Sequence, residues 1–451
     1  LVHAFTYEHK GEALYFLYDI ESGSLYKVDH QAFLTAKSRY GKPFTSSEER
    51  DFDSLENSVK EEIGSDFSEL EKEGALDAGA IYSHFTKNLE RVKALCLHIA
   101  HDCNMRCDYC FAEGGAYHQL RELMPAEVGK RAVDFLIENS GTTENLELDY
   151  FGGEPLMNMG AVKEITAYAR EQGKKRGKEF FFTLTTNGVL LNKENVGYLN
   201  ENMGNVVLSI DGREKTHNGV RHALNGKDTY PLILKNLKAF RAARGARKYF
   251  VRGTFTAKNL DFSEDVFKLN DEGFDRISVE PAALPAGSPL AIREGDLPAV
   301  EREYEKLAEG YLERRKAGKP FEFFHFDLDL EHGPCLKKRL TGCGAGNDYL
   351  AVSPKGELYP CHRFVGRKEY LLGDVFGGIN NGGLREKFAS NTVLSKPECA
   401  DCPAKYYCGG GCSANALDFS GSINGVYKIG CAMTRKRFEL SLALDYLERE
   451  K

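Results

Sequence analysis

The chain has 451 residues, 42% of them hydrophobic, which is enough for one large core with smaller domains beside it. Its net charge of -7 is the opposite of the basic footprint that nucleic-acid binding needs. No apolar run reaches the roughly 18–20 residues that span a bilayer, and no charged-then-apolar signal segment opens the sequence. A cytoplasmic protein with no nucleic-acid or membrane partner is therefore expected.

Residues 1–90 contain no cysteine and read as a small domain. Ala13 to Ile20 is apolar and aromatic, as a strand requires. Glu21 to Ser24 is a turn, and Leu25 to Val28 is the returning strand. Residues 29–75 then look helical, with Leu55, Val59 and Ile63 at helical spacing among charges. Strands followed by helices in so short a span suggest a winged-helix-like module. The alternative is an extension packed on the main domain with no function of its own.

Residues 91–318 alternate strand and helix. Predicted strands are Ala94–Ile99, Leu146–Phe151, Phe180–Thr185, Val206–Ile210, Tyr249–Phe255 and Ile277–Glu280. Predicted helices between them are Pro125–Glu138, Ala161–Glu171, Lys193–Asn202, Pro231–Ala243 and Ser263–Asp271. Six such units imply parallel strands with right-handed crossovers, that is, an α/β fold closing as a partial (β/α)6 barrel. The reactive end of such a fold lies at the C-terminal ends of its strands. Residues 319–451 break the rhythm, being rich in Gly and Cys and closing on a helix from about Ala432 to Glu448. Such a segment depends on metal for its order.

The twelve cysteines fall in two groups, with none between residues 111 and 334. A reducing compartment argues against disulfides and for ligation. Cys103, Cys107 and Cys110 follow the first barrel strand directly, with spacing C-x3-C-x2-C. Three thiolates in one loop hold three corners of a cubane cluster and leave the fourth iron open to a ligand. Structural zinc is the alternative. It wants four ligands, and His98 and His101 are its available extra donors.

On these residues the barrel segment resembles the radical S-adenosylmethionine (SAM) superfamily. The resemblance implies a [4Fe–4S] cluster on Cys103, Cys107 and Cys110 that chelates SAM and cleaves it to a 5′-deoxyadenosyl radical. It also implies SAM contacts from Tyr109 (through its backbone, to the adenine), Gly152, Gly153, Glu154 (to the ammonium), Ser209 and Arg221 (to the carboxylate). Thr185-Thr186-Asn187-Gly188, ending the third strand, is a weaker contact of the same kind. A surface role for Arg221 and a plain turn at Gly152–Pro155 are the bland alternatives.

In the second group, Cys399, Cys402, Cys408 and Cys412 are spaced C-x2-C-x5-C-x3-C, preceded by Cys343 and Cys361 and followed by Cys431. This register resembles the SPASM auxiliary-cluster domain. It implies two further [4Fe–4S] clusters, three in all, one on Cys399, Cys402, Cys408 and Cys431 and another on Cys343, Cys361 and Cys412. Cys335 is either the fourth ligand of the latter or absent from it, leaving an iron open to a substrate thiolate. Cys96, on an apolar strand, reads as a core residue.

SPASM radical SAM enzymes mostly modify peptides or proteins. The front module resembles the peptide-recognition domains of ribosomal-peptide maturases, which hold a leader peptide as an added strand. All three segments together resemble thioether-forming (sactionine-type) maturases, and most closely those of the short Cys-rich SCIFF precursors. The implied partners are a ribosomal precursor peptide and a reductant such as flavodoxin or ferredoxin. The implied reaction removes a hydrogen from an α-carbon, joins it to a cysteine sulfur, and passes the surplus electron to the auxiliary clusters. No general base stands out. The rival expectations are a sulfatase-maturase-like oxidase and a zinc-dependent peptide-binding scaffold.

Overall fold

The computed structural model describes residues 1–82 and 91–450, so the boundary expected at residue 90 lies outside the described residues. Strands β1 (Val2–His9), β2 (Glu12–Asp19) and β3 (Leu25–Val28) form an antiparallel sheet with β2 in the middle. Lys10 and Gly11 join β1 to β2 with φ of 54° and 79°, the left-handed pair that a tight hairpin turn uses. β1 is a strand that the residue pattern had not suggested. Its inward residues Val2, Phe5 and Tyr7 are spaced too irregularly to read as strict alternation. Helices α1 (His30–Arg39), α2 (Ser46–Ser54) and α3 (Asn57–Lys72) follow. Asp29 caps α1 by accepting from the Ala32 N–H, and Thr45 with Glu48 forms a capping box on α2. Leu17, Phe33, Leu34 and Phe67 make the module's own core. The opposite face of its sheet packs away from these helices. Phe16 meets Tyr446 at 5.5 Å and Tyr18 meets Phe438 at 5.3 Å, both edge-on and both at the C-terminal end of the chain.

The second unit begins with β4 (Ala94–Ala100) and a three-residue strand β5 (Met105–Cys107). It continues through α4 (Ala126–Glu138), β6 (Asn145–Gly152), α5 (Met159–Arg176), β7 (Glu179–Thr186), α6 (Lys193–Asn202) and β8 (Asn205–Ser209). Next come α7 (Glu214–Asn218), β9 (Arg221–Ala223), α8 (Tyr230–Arg244), β10 (Phe250–Phe255), α9 (Phe262–Asp271), β11 (Arg276–Pro281) and α10 (Leu297–Lys316). Strands β4, β6, β7, β8, β10 and β11 lie side by side, all parallel, in chain order. This is the expected six-unit arrangement.

The sheet does not stop there. β12 (Glu322–Phe323) adds in parallel to β11. After α11 (Leu336–Thr341), β13 (Tyr349–Val352) adds in parallel to β4 at the other edge. Strands β14 (Glu357–Tyr359), β15 (Gly373–Asp374) and β16 (Gly378–Ile379) then extend it antiparallel to eleven strands. The C-terminal segment is therefore built onto the barrel sheet rather than set apart from it. Helices α12 (Gly382–Ala389), α13 (Lys405–Cys408), α14 (Ser413–Ser420) and α15 (Lys428–Arg449) complete the chain.

Successive side chains of a strand point to opposite faces. In β4, β6 and β7, Leu95, Leu97, Leu146, Leu148, Tyr150, Phe182 and Leu184 point outward into the helix-covered core. The alternate residues Cys96, His98, Asp149, Phe151, Thr183 and Thr185 line the concave side, followed by Ser209, Arg252 and Glu280 on the later strands. One face is oily because it buries helices, and truncating a fully buried member such as Leu148 to Ala costs about 2–5 kcal/mol. The other is polar because it encloses the reactive space. Cys96 is 1% exposed as a core residue should be, but it belongs to the polar face, beside Asp149 and the Tyr349 hydroxyl.

Candidate active site

The loop that carries Cys103, Cys107 and Cys110 is fixed from three sides. β5 pairs antiparallel with β9, which sets Cys107 opposite Arg221. The Asp108 N–H donates to Val220 O at 2.9 Å, and the Cys110 N–H to Cys107 O at 3.0 Å. From β6, the Gly153 N–H donates to Ala100 O at 2.7 Å and the Glu154 N–H to Asp102 O at 2.9 Å. The two glycines are there for this backbone approach. A Cβ on Gly152 would sit 2.3 Å from Ala100 O, and one on Gly153 would sit 2.0 Å from Asp102 O.

Glu154 is fully buried and occupied by the protein itself. Its carboxylate accepts from the Leu156 N–H at 3.0 Å, the Thr186 hydroxyl at 2.8 Å and the Asn187 N–H at 2.7 Å. Burial pushes its pKa up to about 7, against the pull of those donors. Glu154 thus ties the end of β6 to the Thr186–Asn187 corner. Asn187 in turn donates to Asn104 Oδ1 at 2.7 Å and stands 3.7 Å from Cys103 Sγ. The ends of β4, β6 and β7 converge on the first cysteine.

Tyr109 and Arg221 meet Asp211. The Tyr109 hydroxyl donates to Asp211 Oδ2 at 2.6 Å, and Arg221 Nη1 donates to the Tyr109 oxygen at 2.9 Å and lies 3.7 Å from Asp211 Oδ1. Arg221 is 6% exposed, so it is no surface arginine. Its Nε is buried with no partner among the described residues, a donor still free to bind a ligand. Asp211, which the sequence pattern had not singled out, also accepts from the Thr254 N–H at 3.0 Å and so anchors the ends of β8 and β10. Ser209 closes β8 with Arg252 as its cross-strand partner.

The loop thiols suit an electron-poor metal group. Burial pushes Cys103 up to about 12 and Cys107 up to about 11, with the Arg221 guanidinium opposing the rise at Cys107. These thiols give up their protons only to a bound metal. Among the described residues, no three His, Cys, Asp or Glu side chains converge on the point that a single ion would occupy. A cubane, with its irons at separate corners, needs no such convergence.

The later cysteines gather in two places. Cys399, Cys402, Cys408 and Cys431 line one cavity together with Lys405 and Arg435. Cys408 closes α13 before a left-handed Gly409, and Cys431 sits in the first turn of α15. Lys396 is 3% exposed, its Nζ held by Gly425 O at 2.9 Å and Ile423 O at 3.3 Å, and its charge acts on Cys399 and Cys431. Four thiolates ringed by Lys396, Lys405 and Arg435 form a donor set suited to an anionic thiolate cluster. At the second place, Cys361 is buried, and the charges of Cys412 and Cys343 act on it. A Cβ on Gly409 would lie 2.4 Å from Gly342 N, so the two places adjoin through bare backbone. Cys335 is exposed at the N-cap of α11.

Residues 97–256 match the family model of the radical SAM superfamily. The barrel is a radical SAM domain. That family implies a [4Fe–4S] cluster and SAM, for which Cys103, Cys107 and Cys110 are the chemically fitting ligands. Over 385 residues the chain is 22% identical to a radical SAM cyclopropyl synthase, TigE, of Paramaledivibacter caminithermalis, covering 80% of this chain and 75% of that one. It is 22% identical over 335 residues to a cysteine-type anaerobic sulfatase-maturating enzyme of Clostridium novyi, covering 70% of this chain and 86% of that one. The radical SAM domain and its flanks share their fold with Streptococcus suis SuiB in a crystal structure with its precursor peptide SuiA. The TM-score is 0.52 at 18% identity, with 89% of this chain and 93% of that one covered. Among the described residues, no helix is long and apolar enough to cross a membrane.

Proposed function

We propose that this radical SAM enzyme is a maturase of a ribosomally made, Cys-rich peptide, in which it forms a thioether between a cysteine and the α-carbon of an acceptor residue. In this reading residues 1–90 bind the leader, residues 91–318 are the radical SAM barrel, and residues 319–451 are a SPASM domain. The carrying observation is the combination of two cysteine sites beside the barrel with a cysteine-free sheet whose β3 edge pairs with no other strand among the described residues. An open edge accepts an extended peptide through backbone hydrogen bonds. Docking the leader there raises the effective concentration of the core peptide at the barrel. The likeness to SuiB, solved with a precursor peptide, and to a sulfatase-maturating enzyme supports a polypeptide substrate.

The chemistry that cluster and SAM supply together is a 5′-deoxyadenosyl radical able to take a hydrogen atom from the substrate. The chain's own residues prepare the space around it. Glu154, Asp211, Tyr109 and Arg221 fix the cysteine loop. Glu280 is taken up by His325 at 3.0 Å and the Ser278 hydroxyl at 3.0 Å, which leaves Arg252, 54% exposed on the concave face of β10, to hold peptide. Cys343, Cys361 and Cys412 would hold one auxiliary cluster, and Cys399, Cys402, Cys408 and Cys431 another. The test is anaerobic incubation of reconstituted enzyme with SAM, reductant and a Cys-rich precursor. The expected product lacks two hydrogens, no longer reacts with iodoacetamide at the joined cysteine, and resists fragmentation within the ring. Deoxyadenosine accumulating beside an unaltered peptide refutes the reading.

The relationship to the Clostridium novyi enzyme favours a second reading, the oxidation of a single Cys or Ser side chain. That product keeps a continuous fragment ladder, which the thioether product does not.

A further inference from the structure

Glu21 belongs to the turn after β2, in the cysteine-free module, yet its side chain is 2% exposed and engaged by the C-terminal segment. Glu21 Oε1 accepts from Lys405 Nζ at 2.6 Å, and Oε2 from the Tyr406 hydroxyl at 2.8 Å and the Ile81 N–H at 3.1 Å. Lys405, 7% exposed, also donates to Ala400 O at 3.1 Å, inside the Cys399–Cys402 turn. It lines the same cavity as Cys399, Cys402, Cys408 and Cys431. One lysine thus touches a carboxylate from one end of the chain and the ligand turn at the other.

A fully buried ion pair is a weak source of stability, because desolvation offsets its Coulomb attraction. A pair that spans 384 residues of sequence is better explained by what it positions. We infer that Glu21 and Lys405 make the front module part of the four-cysteine site: Lys405 holds the Cys399–Cys402 turn and places a cation beside the thiolates, and Glu21 sets how much of that charge they feel. The inference deepens the proposed function in one respect, because it rests on those four cysteines holding an iron–sulfur cluster. The reduction potential of such a cluster responds to local charge and to hydrogen bonding around its sulfurs.

The sign follows from electrostatics. Glu21→Gln keeps the size and one acceptor but leaves Lys405 uncompensated, which favours the reduced, more negative cluster and raises the potential. Lys405→Met removes the cation and leaves Glu21 as a buried anion, which lowers it. The double variant removes both charges and returns toward the wild-type value.

The experiment is an anaerobic redox titration of the reconstituted full chain followed by electron paramagnetic resonance, with iron counted in every sample and no peptide present. A positive shift of the four-cysteine signal in Glu21→Gln, a negative one in Lys405→Met and partial cancellation in the double variant are expected, with the Cys103–Cys107–Cys110 signal unmoved. Selective loss of the four-cysteine signal in Glu21→Gln also supports the link, since that substitution lies in a domain without cysteine. Iron retained with neither single variant shifted, shifts of the same sign in both, or equal loss of every signal with no recovery in the double variant overturns it. Because no peptide enters the titration, the thioether reading can fail while this link stands. Wild-type protein lacking a four-cysteine signal altogether would instead sink the cluster assignment.

Discussion

Gly153→Ala tests whether Gly-Gly-Glu-Pro is chiefly a scaffold for the cysteine loop. The added Cβ would lie 2.0 Å from Asp102 O, 2.6 Å from Asp102 C and 3.1 Å from Gly115 Cα, with backbone on every side. Ordinary contact begins at 3.4 Å, so the loop after β6 and the residue before Cys103 must part by 3.4 − 2.0 = 1.4 Å. That displacement breaks the Glu154 N–H to Asp102 O hydrogen bond of 2.9 Å. Overpacking of about 1–3 kcal/mol and a lost hydrogen bond of about 1 kcal/mol give a destabilisation of about 2–4 kcal/mol. The assay is urea unfolding, read as a lower midpoint at unchanged slope, with iron content measured in parallel. Gly197→Ala is the control. It lies in α6 with nothing within 4 Å, and removing a helical glycine there gains about 0.5–1 kcal/mol. A Gly153→Ala protein with the wild-type midpoint and full iron refutes the argument that these glycines serve backbone approach.

Three further outcomes follow from the same geometry. Burial and the neighbouring Glu147 charge raise Asp149 to about 7, so the folded chain keeps that proton while the unfolded chain loses it near 3.8. Its contribution is therefore full below about pH 4 and is lost as pH rises through about 7. Asp149→Asn should be about 2–4 kcal/mol more stable than wild type at pH 8 and equal to it at pH 4, read from urea midpoints at both. Arg221→Met leaves the buried Asp211 carboxylate without its cation and should cost about 3–5 kcal/mol, with weaker iron retention at the Cys107 loop; Arg221→Lys, which keeps a charge but no fork, should fall between. If Cys399, Cys402, Cys408 and Cys431 hold a cluster as proposed, chelating the iron anaerobically should raise amide exchange across residues 396–431 while β6, β7 and β8 stay protected, because metal binding couples to local order.

The barrel was legible because each of its strands and helices buries one apolar stripe. Lys193–Asn202 is a helix over the expected residues, and every predicted barrel strand lies within two residues of its observed ends. Strands β12 to β16 were not legible. They run two to four residues each, too short for a period to show, and β13 is fixed by parallel pairing with β4 some 250 residues earlier. The cysteine sites were legible as spacing alone. What surrounds them was not: Asp211, Lys396, Lys405 and Glu21 carry no local motif, and they gain their roles through contacts 27 to 29 residues away for Lys396 and 102 to 384 residues away for the others.

The buried polar groups also separate two roles that the sequence motifs run together. Glu154 spends both oxygens on three protein donors, and Asp211 is occupied by Tyr109, Arg221 and the Thr254 backbone. Buried charges so fully engaged hold the loop in one arrangement before any ligand arrives, which is what preorganisation requires. Arg221 differs in one atom, its unpartnered Nε, so it joins the scaffold through Nη1 and keeps a donor for a ligand. On the concave face of the later strands, Glu280 is likewise engaged, by His325 at 3.0 Å and the Ser278 hydroxyl at 3.0 Å, whereas Ser209 at the end of β8 and the half-exposed Arg252 of β10 are less tightly held. Under the proposed function, substitutions at Glu154 should act on retention of the loop cluster and those at Arg252 on peptide binding, although both residues lie on the concave side of the same barrel.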